Sequence, residues 1–416
     1  MKIPTDLFSK FGPVLVATLA SQAISATGLF ILPFLGFEVS DVYSVAIQAG
    51  NGAFSGIVLG VIYSMAIGRP HFSHWNLFGR GSALFSLVLA VVATALIFRG
   101  SEENRLLPWQ IITIMSSFGL GGAFLALAGT TAVREACQGR PLLLAAITIA
   151  PNSGLTIAAA ISALFLRTSA LGSVAPALTW AILSGALLLL IRHRPPAELE
   201  TVGAEEAVVS ESMRNQLLHA AALVIGVVTS TVLPTFFITA TAQLPAGSTT
   251  TLFICARIGT ALVSLGVNSI LLVRYNWLLR SESNGLFPTI FMIAATACGA
   301  AAMFLARVLH LETAGHGFVL ISWLACLVAS PLVMREVNAR RLAKLVMIKA
   351  LADLVLATCV AFMLTARPSA SGYFAAYMIS QCVTTFVCGC ALRHRLLAVA
   401  SLSTLATAAS LLLAGW

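Results

Sequence analysis

Long uninterrupted apolar blocks recur along almost the whole chain, and they constrain its fold more than any motif does. The hydrocarbon core of a bilayer is about 30 Å thick, and an α-helix needs about 20 apolar residues to cross it. Such runs lack the two-residue alternation of a membrane β-barrel strand, so the sequence predicts transmembrane helices. Thirteen candidate spans lie near 11–37, 42–68, 77–98, 107–133, 141–166, 170–191, 216–241, 249–273, 286–309, 314–334, 345–366, 372–392 and 396–416.

The composition excludes a soluble protein. Hydrophobic residues make up 59% of the 416 residues and charged residues only 9%, whereas about 25% of the residues in a soluble domain are charged. A chain this apolar has too few polar side chains to cover a surface in water. The first block follows Lys2 and Lys10, but it is too long for a signal peptide, and we interpret it as a span.

The positive charges predict an orientation. Apart from Arg257 and Lys349, the 24 lysines and arginines lie between the apolar blocks or near their ends and do not form basic clusters. If the N-terminus is cytoplasmic, seventeen of them fall in cytoplasmic loops or ends and five in outer loops, as the positive-inside rule requires. The net charge of +9 is therefore attributed to topology, and no nucleic-acid partner is expected. We predict a multi-pass protein of the cytoplasmic (inner) membrane.

One long polar stretch follows the first six spans, and six further spans and the thirteenth block come after it. Arg192–Asn215 contains five glutamates and two adjacent prolines. We predict an N-terminal six-helix lobe at 1–191, a cytoplasmic linker at 192–215, a C-terminal six-helix lobe at 216–394 and an additional hydrophobic helix at 395–416. The predicted fold is an all-α polytopic membrane protein with 12–13 transmembrane helices, its two lobes surrounding a central cavity, as in duplicated transporters.

The sequence contains none of the catalytic signatures that we sought. It has no zinc-protease His/Glu motif, no phosphate-binding Gly loop followed by Lys and Ser/Thr, and no Gly-x-Ser-x-Gly elbow. The eight cysteines fall almost entirely inside apolar blocks, where we interpret them as small core residues and not as disulfide or metal partners. We therefore expect no enzymatic activity, no metal and no cofactor.

Arg257 is the most informative polar residue within a predicted span. It lies eight residues into the span at 249–273, which places it about 12 Å below the outer surface. A charge at this depth is costly unless it faces a partner or water. Anion binding, a structural ion pair and snorkelling to the surface are all open. We favour anion binding, because the guanidinium fork matches phosphate oxygens.

Asp353 and Lys349 form a second candidate site. They are four residues apart in the span at 345–366, so they share one helical face and are able to pair. Asp353 is the only acid well inside any predicted span. It either holds Lys349 in place or loads and releases a proton or sodium ion during transport.

Uncharged polar residues within the spans complete the candidate set. A hydrated lumen explains Gln22, Gln48 and Asn51, although hydrogen bonds between helices explain such residues at least as often. With Arg257, we predict these three as substrate-binding residues, while Asp353 and Lys349 are the predicted ion-coupling residues.

Three segments resemble the multidrug/oligosaccharidyl-lipid/polysaccharide (MOP) exporter superfamily. The first segment is LFILPFLGFEVSDVYSVAIQAGNGAFSGIVLG. It resembles the short acidic turn and the Asp-x-Tyr/Phe motif with which the second span of the superfamily begins. The other two segments are FFITATAQLPAGSTTTLFICARIGTALVSLGVNS and the turn REACQGRPLLLAA. They resemble sequence segments of the lipid-linked oligosaccharide flippases of this superfamily. The resemblance implies a cationic cavity between two lobes, with Arg257 contacting the pyrophosphate of a polyprenyl-linked sugar. Drug exporters of the superfamily usually keep an acid within the N-terminal lobe, and no acid is embedded in the predicted N-terminal lobe of this chain. We therefore favour the polysaccharide (Wzx-like) flippase branch.

The resemblance implies a transporter that moves a lipid-linked oligosaccharide or polysaccharide precursor across the cytoplasmic membrane by alternating access. The expected partners are a polyprenyl-linked sugar or another anionic lipid, membrane lipid and polysaccharide-assembly membrane proteins. A major-facilitator-type or drug/ion secondary transporter of a small solute is the alternative, but the loop AIGRPHFSHWNLFGRG lacks the Gly-x-x-x-Asp-Arg-x-Gly-Arg-Arg pattern. A membrane-embedded glycosyl- or acyltransferase would need a longer outer loop.

Overall fold

The computed structural model describes most of the chain as helix, and the prediction of an all-α polytopic membrane protein is confirmed. Ten of the described helices are long and apolar enough to cross a membrane. Five of the thirteen predicted spans, at 42–68, 141–166, 216–241, 249–273 and 396–416, fall partly outside the described residues. The described residues are 5–52, 54, 57–58, 62, 75–100, 106–137, 142–166, 169–193, 218, 221–222, 224–226, 229, 232–241, 244–263, 285–339 and 343–413.

The first half of the chain forms seven labelled helices. A 3₁₀ turn, Leu32–Leu35, separates α1 from α2, and the short α5 leads into α6 through two turn residues. The helices are α1 (Thr5–Ile31), α2 (Phe37–Gly52), α3 (Trp75–Gly100), α4 (Pro108–Cys137), α5 (Leu142–Ala146), α6 (Ile149–Phe165) and α7 (Ala170–Arg192).

The described residues of the second half form seven more labelled helices. Among them, α14 corresponds to the thirteenth hydrophobic block, and it is itself long and apolar enough to span. The helices are α8 (Leu233–Ala240), α9 (Ser248–Val263), α10 (Leu286–Arg307), α11 (Glu312–Ala339), α12 (Ala343–Ala366), α13 (Ala370–Ala391) and α14 (Arg395–Leu413).

Most helix contacts lie within one half of the chain. In the first half, α4 packs on α2, α3 and α7, and α6 packs on α1 and α7. In the second, α11 packs on α10 and α13, while α14 packs on both α10 and α13. The main contacts between the halves are made by α8 and α9 with α1, α2 and α3. The lobe boundaries stay a prediction, and residues 194–215 of the predicted linker lie outside the described residues.

Small residues allow the helices of the first half to approach closely. A Cβ atom on Gly121 of α4 would overlap the indole of Trp180 in α7, and one on Gly122 would overlap the backbone of Gly50 in α2. Trp180 stacks on Phe118 with ring centroids 4.6 Å apart. Helices in lipid gain stability from such close packing, because lipid chains offer no hydrophobic drive for association.

The sixth predicted span of each half begins in the same way. Ser169 precedes α7 and accepts a hydrogen bond from the Gly172 backbone N–H at 3.1 Å, and Ser369 precedes α13 and accepts one from Gly372 at 3.0 Å. Both serines are N-caps, satisfying a donor that the first helical turn leaves without a partner. A serine N-cap therefore begins the sixth predicted span in both halves.

Candidate functional site

Helices α2 and α9 come from different halves and lie side by side. Two polar contacts join them, one between Asp41 and Thr250 and the other between Gln48 and Arg257. On each helix the two positions are seven residues apart, which is two turns or about 10 Å. We call the first the outer contact, because the predicted topology places it at the outer surface, and the second the inner contact.

The carboxylate of Asp41 forms the outer contact by capping α9. Its Oδ2 accepts the backbone N–H of Gly247 at 2.8 Å, and its Oδ1 accepts the backbone N–H and the hydroxyl of Thr250 at 2.8 and 2.7 Å. Backbone N–H groups at a helix start have no partner within the helix, and the positive end of the helix dipole favours a negative charge. One half of the chain thus caps a helix of the other half.

The turn before α9 makes this cap possible. Gly247 has φ +92°, a conformation that side chains disfavour, and a Cβ atom there would lie 2.9 Å from the Phe37 ring of α2. The Thr250 hydroxyl also lies 2.9 Å from the Ser40 hydroxyl oxygen. The outer contact therefore depends on a glycine as well as on the acid.

The inner contact is much less complete. Arg257 Nη2 donates to Gln48 Oε1 at 3.4 Å, near the limit for a hydrogen bond. The guanidinium carbon lies 5.0 Å from the centroid of the Phe253 ring, a cation–π distance. Among the described residues, no carboxylate is paired with Arg257. Within the described part of the chain, the half-buried guanidinium thus makes one long hydrogen bond and one contact with an aromatic ring.

The structure brings together only part of the predicted substrate-binding set. Gln48 contacts Arg257, and Asn51 lies three residues beyond Gln48 in α2, on the same helical face. Gln22 is exposed on α1, and no hydrogen bond of the described part joins it to Gln48 or Arg257. The binding roles of all four residues stay predictions.

The predicted pair in α12 is formed. Lys349 Nζ lies 3.4 Å from Asp353 Oδ2, and the side chains are 17% and 5% exposed. Asp353 Oδ1 accepts a hydrogen bond from the Ser380 hydroxyl of α13 at 2.7 Å. Both carboxylate oxygens thus have partners within the second half of the chain. The described residues contain no group of three His, Cys, Asp or Glu that would hold a metal ion.

Sequence reasoning did not assign Asp41, Thr250, Tyr373 or Tyr377 to a site. Asp41 belongs to the acidic turn that resembles the MOP superfamily, which was a signal for it. The two tyrosines lie on α13, which contacts α9, the helix that carries Arg257. Their spacing of four residues was visible in the sequence, but their proximity to α9 was not.

By sequence, the chain matches no family profile and no curated protein. By structure, it is similar to the lipid II flippase MurJ in an inward closed conformation, with a TM-score of 0.56 and 15% sequence identity, over 96% of this chain and 91% of that chain. It is also similar to a MOP superfamily transporter from Pyrococcus furiosus, whose binding pocket is described as having reverse polarity, with a TM-score of 0.46 and 14% identity, over 92% and 94% of the two chains. The chain thus shares its overall fold with MurJ.

Proposed function

We propose that this protein is a membrane transporter of the MOP superfamily, in its polysaccharide flippase branch, and that it translocates a lipid-linked oligosaccharide or polysaccharide precursor across the cytoplasmic membrane. The observation that carries the proposal is Arg257, a guanidinium at the interface of the two halves with no carboxylate partner among the described residues. The fold shared with MurJ supports it, because that protein is a lipid II flippase.

The two contacts between α2 and α9 fit a cycle of alternating access. The Asp41 cap keeps the outer ends of the halves together, while the pyrophosphate of a polyprenyl-linked sugar enters from the cytoplasm and binds Arg257. Opening the outer contact then exposes the bound head group to the other side. The anion supplies the guanidinium with hydrogen-bond acceptors beyond the single one that the described residues provide. Polysaccharide-assembly proteins of the same membrane are the proposed partners.

Replacing Arg257 tests the proposal directly. In liposomes containing the purified protein and a fluorescent polyprenyl pyrophosphate-linked sugar, Arg257→Ala should reduce flipping about 100-fold, since it removes several charge-assisted hydrogen bonds. Arg257→Lys should restore part of the rate, because a point charge replaces a bidentate fork. The thermal stability of both variants should stay near that of the wild type.

A matched control is Arg307→Ala, which removes an exposed arginine at the end of α10 and should leave flipping unchanged. Wild-type flipping by Arg257→Ala would remove the anion site. Equal transport of a small soluble anion and of the lipid-linked sugar would favour the alternative of a small-solute transporter.

The role of Asp353 is tested separately, because the sequence leaves two roles open. The contacts with Lys349 and Ser380 favour the structural role, and ion coupling stays a prediction. If the role is structural, Asp353→Asn should destabilise the protein by about 2 kcal/mol by leaving Lys349 without its partner, and the further change Lys349→Met should recover stability. A stable Asp353→Asn protein whose transport no longer responds to proton or sodium gradients would establish coupling instead.

A further inference from the structure

The ring of Phe253 lies against the Arg257 guanidinium. The two residues are four apart in α9, and side chains in a helix point toward its N-terminal end, so the Arg257 side chain extends over the turn that carries Phe253. The guanidinium carbon lies 5.0 Å from the centroid of the ring. Phe253 is only 2% exposed, so the surrounding packing holds the ring in place. Phe253 is therefore a fixed support for a side chain that is itself long and flexible.

This support matters because the other contact of the guanidinium in the described part of the chain is weak. The hydrogen bond to Gln48 is 3.4 Å long, near the limit for such a bond. A cation over the face of an aromatic ring is attracted by the ring quadrupole, and the attraction increases where water is excluded. Between these two contacts, the ring should hold the guanidinium more firmly than the amide.

An aromatic ring holds a cation in a way that a carboxylate does not. A carboxylate at the same place would cancel the positive charge and accept the N–H groups of the guanidinium fork. The ring of phenylalanine has no net charge and no oxygen to accept those N–H groups. Phe253 therefore restrains Arg257 without neutralising it, as the binding of an anion requires.

We propose that Phe253 is a positioning residue, whose ring face holds the Arg257 guanidinium in the orientation in which it binds the anionic head of the substrate. This inference rests on the proposed function, because it assumes that Arg257 binds that anion. It goes beyond the proposed function by assigning the pre-organisation of the site to one aromatic ring. An anion that meets a guanidinium already in place loses no affinity to the ordering of a flexible side chain.

The first test removes the ring. The affinity of the purified full-length protein in detergent is measured for geranylgeranyl pyrophosphate. Phe253→Leu keeps an apolar side chain at the position but removes the aromatic face. It should weaken binding about fivefold, a typical effect of having to order one flexible side chain on binding.

The second test keeps the ring and changes its electrons. Fluorine atoms withdraw electron density from the face of an aromatic ring, so they weaken its attraction for a cation and change its shape little. Phe253 is replaced in turn by monofluoro-, difluoro- and trifluorophenylalanine. The affinity for geranylgeranyl pyrophosphate should fall step by step along this series toward that of Phe253→Leu, while the melting temperature stays near that of the wild type. A ring that only fills space would give equal affinities throughout.

The matched control is the same series at Phe118 in α4. Phe118 is 1% exposed, and its ring packs on aromatic partners, Trp180 with centroids 4.6 Å apart and Tyr43 with centroids 5.8 Å apart. Fluorination there should leave the affinity unchanged, and Phe118→Leu should lower the melting temperature without a comparable loss of affinity. A packing role of a phenylalanine thus has a different readout from the proposed one.

The outcomes separate the inference from the function on which it rests. Equal affinities along the Phe253 series overturn the inference, even if Phe253→Leu binds weakly, because shape alone then explains the leucine result. An equal fall along the Phe118 series overturns it as well. If Arg257→Ala loses binding in the same assay, the proposed function stands whatever the Phe253 series shows. If Arg257→Ala binds normally, the proposed function itself fails.

Discussion

The outer and inner contacts between α2 and α9 use the same two helices at the same spacing, yet they differ in how completely their polar groups are satisfied. At the outer contact, three donors reach the carboxylate of Asp41 at 2.7–2.8 Å. At the inner contact, a single bond of 3.4 Å joins Arg257 to Gln48. Charge-assisted hydrogen bonds contribute about 1.5–3 kcal/mol each, so the bonds between described residues stabilise the outer contact much more than the inner one.

This difference suggests two roles for a buried charge, one in holding two helices together and one in binding a ligand. A charge with all its partners inside the protein holds two surfaces together, and its loss changes which conformation is populated. A charge without such partners is held ready for something that is not part of the chain, and its loss changes affinity. The experiments below test whether the outer contact acts as a lock and the inner contact as a binding site.

A covalent lock at the outer contact should have the largest effect. The hydroxyl oxygens of Ser40 and Thr250 are 2.9 Å apart, so cysteines at both positions, in a background without the native cysteines, should cross-link on oxidation. Flipping should then stop completely and return with a reductant. Cysteines at Ser40 and Thr251 are the control, because Thr251 is exposed and bonds within its own helix. Normal transport by the cross-linked protein would mean that this contact does not open during the cycle.

Weakening the outer contact chemically should have a smaller effect. Asp41→Asn removes the negative charge and replaces one acceptor oxygen with a donor, so at least one bond to α9 is lost. A cysteine at the buried position Thr249 should then react about tenfold faster with a thiol reagent added outside, the equivalent of about 1.4 kcal/mol in opening. Glu312→Gln, an exposed acid in the first turn of α11, is the control. Unchanged reactivity in Asp41→Asn would argue against a lock.

The smallest effect is expected at Gln48. Its bond to Arg257 is long, and long hydrogen bonds are weak, so Gln48→Leu should lower the affinity for geranylgeranyl pyrophosphate only about twofold. Gln22→Leu and Asn51→Leu test the rest of the predicted set in the same binding assay. A loss at Gln48 as large as that of Arg257→Ala would mean that the amide itself binds the anion, and the inner contact would then need a different description.

The sequence predicted what depends on local hydropathy and missed what depends on distant pairing. The transmembrane helices follow from runs of apolar residues, and the Lys349–Asp353 pair follows from helical spacing. The cap on α9 does not, because Asp41 binds backbone N–H groups 206 and 209 residues further along the chain. Every residue except proline has a backbone N–H group, so the residue types do not indicate which of these groups Asp41 binds. The tyrosines of α13 were missed for a similar reason, since only the packing of α13 against α9 brings the two helices together.

Arg257 has no carboxylate partner in the described part of the chain, and this has an electrical consequence. Lys349 and Asp353 pair with one another, whereas at its predicted depth, and with no carboxylate partner among the described residues, the guanidinium would be a net charge inside the field of the membrane. A potential of 100 mV acts on one elementary charge with about 2.3 kcal/mol across the full bilayer. With the predicted orientation, an inside-negative voltage draws the empty site toward the cytoplasm, and a bound diphosphate reverses the sign of the force. We therefore expect the voltage imposed by a potassium gradient in liposomes to accelerate flipping in the wild type and to have no such effect in Arg257→Ala.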